Sequence, residues 1–232
     1  MKIAFLFVVL LPLVLAAARP GMSSYKAARD ALGRKQPEEA LVLLDRAAAE
    51  GKNDAWLWTA RGQACFQLAR LVDAAAACDS ALFFDAGSVT ALVLRARVRL
   101  LQHRLAEAET DLAWALALRP DDVFACGLYA GVLERRGRRE AGYVYRERAA
   151  MLAGQNPAVL VSAGYAALAL DRPRDAGDWF ERALSCGADA AVIAPVCGAA
   201  RLRHAASLRL AGRIDEAVVV LARIVARFPL GA

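Results

Sequence analysis

From about residue 21 onward, apolar positions recur with the 3.6-residue period of amphipathic helices, and the helical segments come in pairs joined by short polar turns. The pattern is fullest between Val89 and Asp122, and it returns on either side at a spacing of 34 residues. The small residue that opens each second helix is Ala40, Ala74, Ala108, Gly142 and Ala176, followed after 41 residues by Ala217. Seven positions on stand Ala47, Ala81, Ala115, Ala149, Ala183 and Ile224; twelve positions before stand Ala28, Gly62, Ala96, Ala130, Gly164 and Ala205. Seventeen of these eighteen positions are Ala or Gly, against about five expected from their share of the chain. No strand-like alternation lasts more than a few residues. The period therefore predicts an all-α chain of repeated helix pairs.

Small residues at fixed positions let two antiparallel helices approach closely, and larger side chains fill the adjoining holes. Trp58, Leu92, Leu112, Leu133, Leu160, Phe180, Leu208 and Leu221 are the candidate large set. One pair cannot bury its apolar face alone, so stacking of pairs is required. The chain resembles the tetratricopeptide repeat family, a 34-residue helix–turn–helix. Trp58 and Gly62, Ala108, Ala115 and Pro120, Ala176, Phe180 and Ala183, and Ala217 and Pro229 carry the likeness, which covers residues 21–231. Arg61, Arg95 and His204 stand where the family usually has Leu, and Arg146 where it has an aromatic. The resemblance implies a right-handed α-solenoid, with repeats at about 21–54, 55–88, 89–122, 123–156, 157–190 and 198–231, in one domain over 19–232.

Local punctuation agrees with the pairing. Gln36-Pro37-Glu38-Glu39 places Pro and two acids in a first helical turn. Asn53-Asp54, Ser88, Asp121-Asp122 and Asn156-Pro157 are cap candidates, and Gly137 and Gly212 fall in turns within pairs. Before the sixth unit, seven extra residues around Pro195 predict a lengthened first helix or a short extra helical turn, with a protruding binding feature as the alternative. The sixth unit, rich in Arg201, Arg203, Arg209, Arg213, Asp215, Arg223 and Arg227, is expected to close the stack with polar faces.

Residues 1–18 are of another kind. Lys2 precedes an apolar run from Ile3 to Ala18 that ends in small residues, the form of a signal peptide cleaved near Ala18. Export to a periplasm or secretory lumen is the expectation. The cations Arg19, Lys26, Arg29, Arg34 and Lys35 support the alternative of an uncleaved anchor with the repeats in the cytoplasm.

Composition narrows the function. The net charge of +6 is dispersed as Arg over many helices, without a basic run interleaved with aromatics, so nucleic acid is not an expected partner. The two histidines, His103 and His204, fall in a turn and in a family core position. No Gly-rich phosphate loop, nucleophile elbow or zinc-type His pair occurs, and the five cysteines lack metal-ligand spacing. No enzyme activity, cofactor or metal is expected. Cys65–Cys78 and Cys186–Cys197 each fit either a disulfide or buried thiols.

In the family the concave groove is lined by the first helix of each unit. Carried over position by position, the resemblance implies a partner-binding groove of Tyr25, Lys26, Arg29, Trp56, Gln63, Phe66, Arg97, Phe124 and Tyr165. Lys26 and Arg29 match only part of the family's clamp for acidic chaperone tails, and no Asn accompanies them. The expected partner is a protein or peptide segment, apolar with some negative charge. The expected function is a scaffold or adaptor; a co-chaperone holding unfolded clients is the alternative.

Overall fold

The computed structural model describes residues Met22–Arg227. The expected leader, its cleavage point near Ala18 and the family-like Pro229 lie outside the described residues. Among the described residues there is no strand, and twelve helices follow one another. They are α1 (Met22–Gly33), α2 (Pro37–Ala49), α3 (Ala55–Gln67), α4 (Leu71–Phe84), α5 (Val89–Leu101), α6 (Leu105–Leu118), α7 (Val123–Arg135), α8 (Arg139–Leu152), α9 (Pro157–Ala169), α10 (Pro173–Ser185), α11 (Ala190–Leu210) and α12 (Ile214–Arg227). Odd-numbered helices open each pair and even-numbered helices close it. The chain divides into two compact units between Leu118 and Arg119, so α1–α6 form one and α7–α12 the other.

Helix starts follow the side-chain chemistry. The carboxylates of Asp54, Asp122 and Asp189 and the amide oxygen of Asn156 accept backbone N–H bonds from the first turns of α3, α7, α11 and α9, at 2.8–3.1 Å. Ser88 precedes α5 without such a bond. Pro occupies the first turn of α2, α9 and α10, where its missing N–H costs nothing.

The turn inside every pair has one construction. Lys35, Ala69, His103, Gly137, Asp171 and Gly212 all have positive φ, between 53° and 81°. At each, two backbone bonds close the end of the first helix: Lys35 N–H to Leu32 and Gln36 N–H to Ala31 in the first pair, Gly212 N–H to Arg209 and Arg213 N–H to Leu208 in the sixth. This is a left-handed C-terminal cap repeated six times, with glycine at only two of the positions.

Burial follows the 34-residue positions. Ala28, Ala40, Ala47, Ala74, Ala81, Ala96, Ala108, Ala115, Ala130, Ala176 and Ala183 are fully buried. In the first unit Leu44 and Ala47 of α2 pack with Leu57 and Ala60 of α3, so one pair is covered by the next. In the second, Phe180 of α10 packs with Ile193, Cys197 and Ala200 of α11. Of the large set, Leu92, Leu112, Leu133, Leu160, Phe180 and Leu208 are buried, whereas Trp58 is half-buried and Leu221 exposed.

The seven extra residues lengthen α11 to 21 residues, with Pro195 inside it. Ile193 and Cys197 bury the added turns against α10. The sixth pair corrects the expectation of a polar cap. Arg203, Arg209, Arg213, Asp215 and Arg223 are exposed, yet so are Ile214, Val218, Leu221 and Val225 of α12. Positions covered in earlier pairs by the following first helix are left open here, because no further pair follows among the described residues.

Candidate functional site

The expected groove residues fall in both units, and the first unit brings some of them together. In the first, the Tyr25 ring lies 4.1 Å from that of Trp56, centroid to centroid, and the Tyr25 hydroxyl donates to both carboxylate oxygens of Asp54 at 3.1 Å. Burial, reinforced by the Asp54 charge, pushes the Tyr25 phenol up from its ordinary pKa. Asp54 also caps α3. The Tyr25–Trp56 stack thus ties α1 to the start of α3, and a large part of both rings serves packing between pairs. Lys26 and Arg29 are exposed on α1, and Gln63 is half-buried on α3. Farther along α3, the guanidinium of Arg97 stands 4.3 Å from the centroid of the half-buried Phe66 ring. Burial lowers the pKa of Arg97, and stacking on an aromatic face suits its weakly hydrated, planar cation.

In the second unit Phe124 is 55% and Tyr165 46% exposed. The Tyr165 ring meets Phe180 edge to face at 5.2 Å, which steadies it while leaving it open to solvent. Beside it lies a cleft of about 380 Å³ between the first helices α7 and α9, with α8 beneath. Arg146 of α8 forms its floor. Its guanidinium donates twice to Glu134 of α7 at 2.9 Å and once to Ser162 of α9 at 2.7 Å. The position that normally holds an aromatic therefore holds a three-helix polar tie. The sequence marks Arg146 as unusual, but its partners lie 12 and 16 residues away and become neighbours only through stacking.

Clefts of a second kind lie between successive second helices, floored by the first helix between them. One of about 520 Å³ lies between α2 and α4 over α3, one of about 400 Å³ between α4 and α6 over α5, and one of about 680 Å³ between α10 and α12 over α11. Their floors carry Arg61, Arg95 and His204, the three residues that depart from the family's Leu. Arg61 pairs with Asp45. Arg95 donates to Asp79 at 2.7 Å and to Asp111 at 2.7 and 3.1 Å, and Arg99 also donates to Asp111. Asp111 is 3% exposed, and these two guanidinium groups pair with its buried carboxylate. The exposed Trp114 walls that cleft. His204 Nδ1 is buried without a hydrogen-bond partner among the described residues. Desolvation, and the positive charges of Arg201 and Arg174, lower its pKa.

No disulfide joins the five cysteines, only Cys186 is more than slightly accessible, and the Cys197 thiol donates to the Gly177 carbonyl. Burial pushes the Cys78 thiol up to about 12, so at neutral pH it is a small buried group and not a nucleophile.

No family model matches the chain, and no curated protein matches it in sequence. Solved structures do. PilF of Pseudomonas aeruginosa aligns with a TM-score of 0.67 at 16% identity, over 91% of this chain and 93% of that one. MamA from Desulfovibrio magneticus RS-1 aligns with a TM-score of 0.63 at 22% identity, over 72% and 94%. YrrB, described as a TPR protein with an unusual peptide-binding site, aligns with a TM-score of 0.59 at 18% identity, over 80% and 92%. The fold of this chain is accordingly the all-α, stacked helix-pair fold of the tetratricopeptide repeat proteins.

Proposed function

We propose that this chain is a non-catalytic interaction scaffold that holds a segment of a partner protein against the first-helix faces of its repeats. The observation that carries this reading is the cleft between α7 and α9, where the solvent-open face of Tyr165 stands beside a floor whose charges are already paired. An apolar side chain fits against Tyr165 without leaving Arg146 or Glu134 unpaired, the condition under which burial is favourable. The Phe66–Arg97 stack in the first unit offers a second surface of the same kind, apolar with one cation, suited to a segment carrying some negative charge. The peptide-binding site described for YrrB supports the reading at the level of fold.

The test is photo-crosslinking from single positions on the native chain. A photoreactive residue at Tyr165 or Phe66 is expected to capture one dominant protein, while one at Thr110, on a second helix, captures little. Many unfolded clients would identify a co-chaperone instead. Equal capture at Thr110 would place the partner on the second-helix face and overturn the groove reading.

Export with cleavage near Ala18 is proposed with it, on the apolar run of residues 3–18. Mass spectrometry of the native product is expected to find Arg19 at or near the amino terminus. An intact Met1 with membrane retention would establish the anchored alternative.

A further inference from the structure

The cleft beside Tyr165 contains a cation on a second helix, outside the first-helix positions of the groove. Arg139, the first residue of α8, lines it with Tyr165, Ala166, Ala169 and Leu170. Its side chain is exposed and pairs with no acid among the described residues. The cleft's other two charges cancel, because Glu134 and Arg146 are joined by two bonds. Arg139 and Arg146 against Glu134 leave the lining one net positive charge. The neighbouring Glu140 does not answer it, being paired with Arg172. Ser162 adds a second donor. Its oxygen accepts from Arg146 at 2.7 Å, and its hydroxyl hydrogen meets no acceptor among the described residues. Thr59, Ser80 and Thr110 instead donate to the helix carbonyl four residues earlier. A hydroxyl that accepts from a guanidinium is polarised toward donating in turn. The cleft therefore offers donors and asks its occupant for acceptors.

Helix register fixes the order of these groups. The successive helices α8 and α9 run antiparallel, and Arg146 meets Ser162. Arg139 lies seven residues before Arg146, and Ala169 seven after Ser162, so Arg139 stands level with Ala169. Ser162 is thus at one end of the cleft, Tyr165 within it, and Arg139 at the other end, about 10 Å from Ser162 along the helix axis. An extended segment rises about 3.3 Å per residue, so about three residues span that length. From Tyr165 to the level of Arg139 is about 6 Å, close to two residues of extended chain. Side chains two apart point to the same side of such a segment. An apolar side chain against Tyr165 therefore places the side chain two residues away at Arg139, while Ser162 donates to a backbone carbonyl. A free anion would reach Arg139 but leave the apolar wall of Tyr165, Ala166 and Leu170 uncovered. A peptide segment satisfies both.

We propose, resting on the groove reading above, that this cleft selects a partner segment with an acidic side chain two residues from an apolar one, and that Arg139 holds the carboxylate. The test titrates acetylated, amidated pentapeptides into the native chain and follows the Tyr165 ring by NMR, assigned through Tyr165→Phe. The probes carry Leu-Ala-Glu or Glu-Ala-Leu between two alanines, with Gln for Glu or Ala for Leu as controls. The better Glu peptide is expected to bind roughly threefold tighter than its Gln counterpart, the scale of one exposed ion pair. Loss of Leu should weaken it too. Arg139→Gln should remove the Glu preference and Arg139→Lys restore part of it. Melting should not change, because the exposed side chain has no partner to lose. Ser162→Ala should weaken the Glu and Gln peptides alike. Equal binding of the Glu and Gln peptides would overturn the inference and leave the groove reading standing. A Tyr165 ring that responds to no peptide would overturn both. A Glu preference that survives Arg139→Gln, or acetate that displaces the Glu peptide at the peptide's own concentration, would overturn the inference as well.

Discussion

A Cβ atom placed on Gly164 would lie 2.6 Å from Cε1 of Phe180 and within 2.8 Å of two more atoms of that ring. The largest fully buried side chain among the described residues is thus seated directly on a helix backbone. The equivalent glycine of the second pair, Gly62, is also tightly covered, with Cys78 Sγ and Leu94 Cδ2 each 3.2 Å from where its Cβ would lie. Gly164→Ala is expected to destabilise by roughly 1–3 kcal/mol through overpacking. Adding Phe180→Leu, which empties the ring's space, should recover part of that loss in chemical unfolding. Additive losses in the double variant would mean that the two residues do not compete for one space.

The repeated left-handed caps predict gains. Ala69 and His103 sit at φ of 57° and 60°, where a side chain is strained and glycine is not. Ala69→Gly and His103→Gly are each expected to stabilise by about 0.5–1 kcal/mol, less the larger chain entropy glycine brings to the unfolded state. Ala108→Gly, at a fully buried helical position, should instead destabilise by about 1 kcal/mol. A common sign for all three in thermal unfolding would contradict the assigned turns.

Asp111 holds two guanidinium groups at once. Its substitution by Ala leaves Arg95 and Arg99 without their buried acceptor and is expected to cost about 3 kcal/mol. Arg61→Leu and Arg95→Leu, which restore the family's residue, separate the pairs. The exposed partner Asp45 makes the first nearly neutral, whereas the second strands Asp111 and should destabilise. Urea unfolding of the three variants checks the order.

His204 makes stability depend on pH. Its folded pKa is lowered, so the unfolded chain takes up the proton first. The contribution is fully present above the unfolded value of about 6.5, and is lost as pH falls from there toward the folded value. His204→Leu is expected to flatten the stability profile of the molecule over that interval. An unchanged slope in the variant would assign the effect to other groups.

For binding, Tyr165→Ala and Phe66→Ala are each expected to weaken the captured partner by about 1–2 kcal/mol, read as a change in dissociation constant. Melting should shift little for the exposed Tyr165. Trp56→Ala should lower stability as well, because its ring is stacked on Tyr25. Salt should weaken binding only modestly, since Lys26, Arg29, Arg97 and Arg139 are the cations among the proposed contacts. Binding that survives both Ala substitutions but collapses at moderate salt would move the partner to the Arg-lined clefts.

The sequence by itself determined the helices, their pairing and the positions of close approach. These depend on short-range terms: the 3.6-residue period, Pro and acids in first turns, and the need for Ala or Gly where backbones meet, repeated six times so that each instance supports the others. Positive φ at Lys35, Ala69, His103 and Asp171 escaped it, because the repeated cap imposes the conformation where no glycine signals it. The partners of Arg61, Arg95 and Arg146 were also decided only by tertiary structure. An arginine in an apolar position reads as a flaw until stacking sets an acid from another helix beside it. The same holds for the expected groove: Tyr25 and Trp56 are half consumed by packing against each other, while Tyr165 remains open on its edge contact with Phe180. The exposure of Leu221 lay furthest from reach, since it has the identity of a core residue. Whether such a residue is buried depends on the presence of a neighbouring helix, which its own local sequence does not encode.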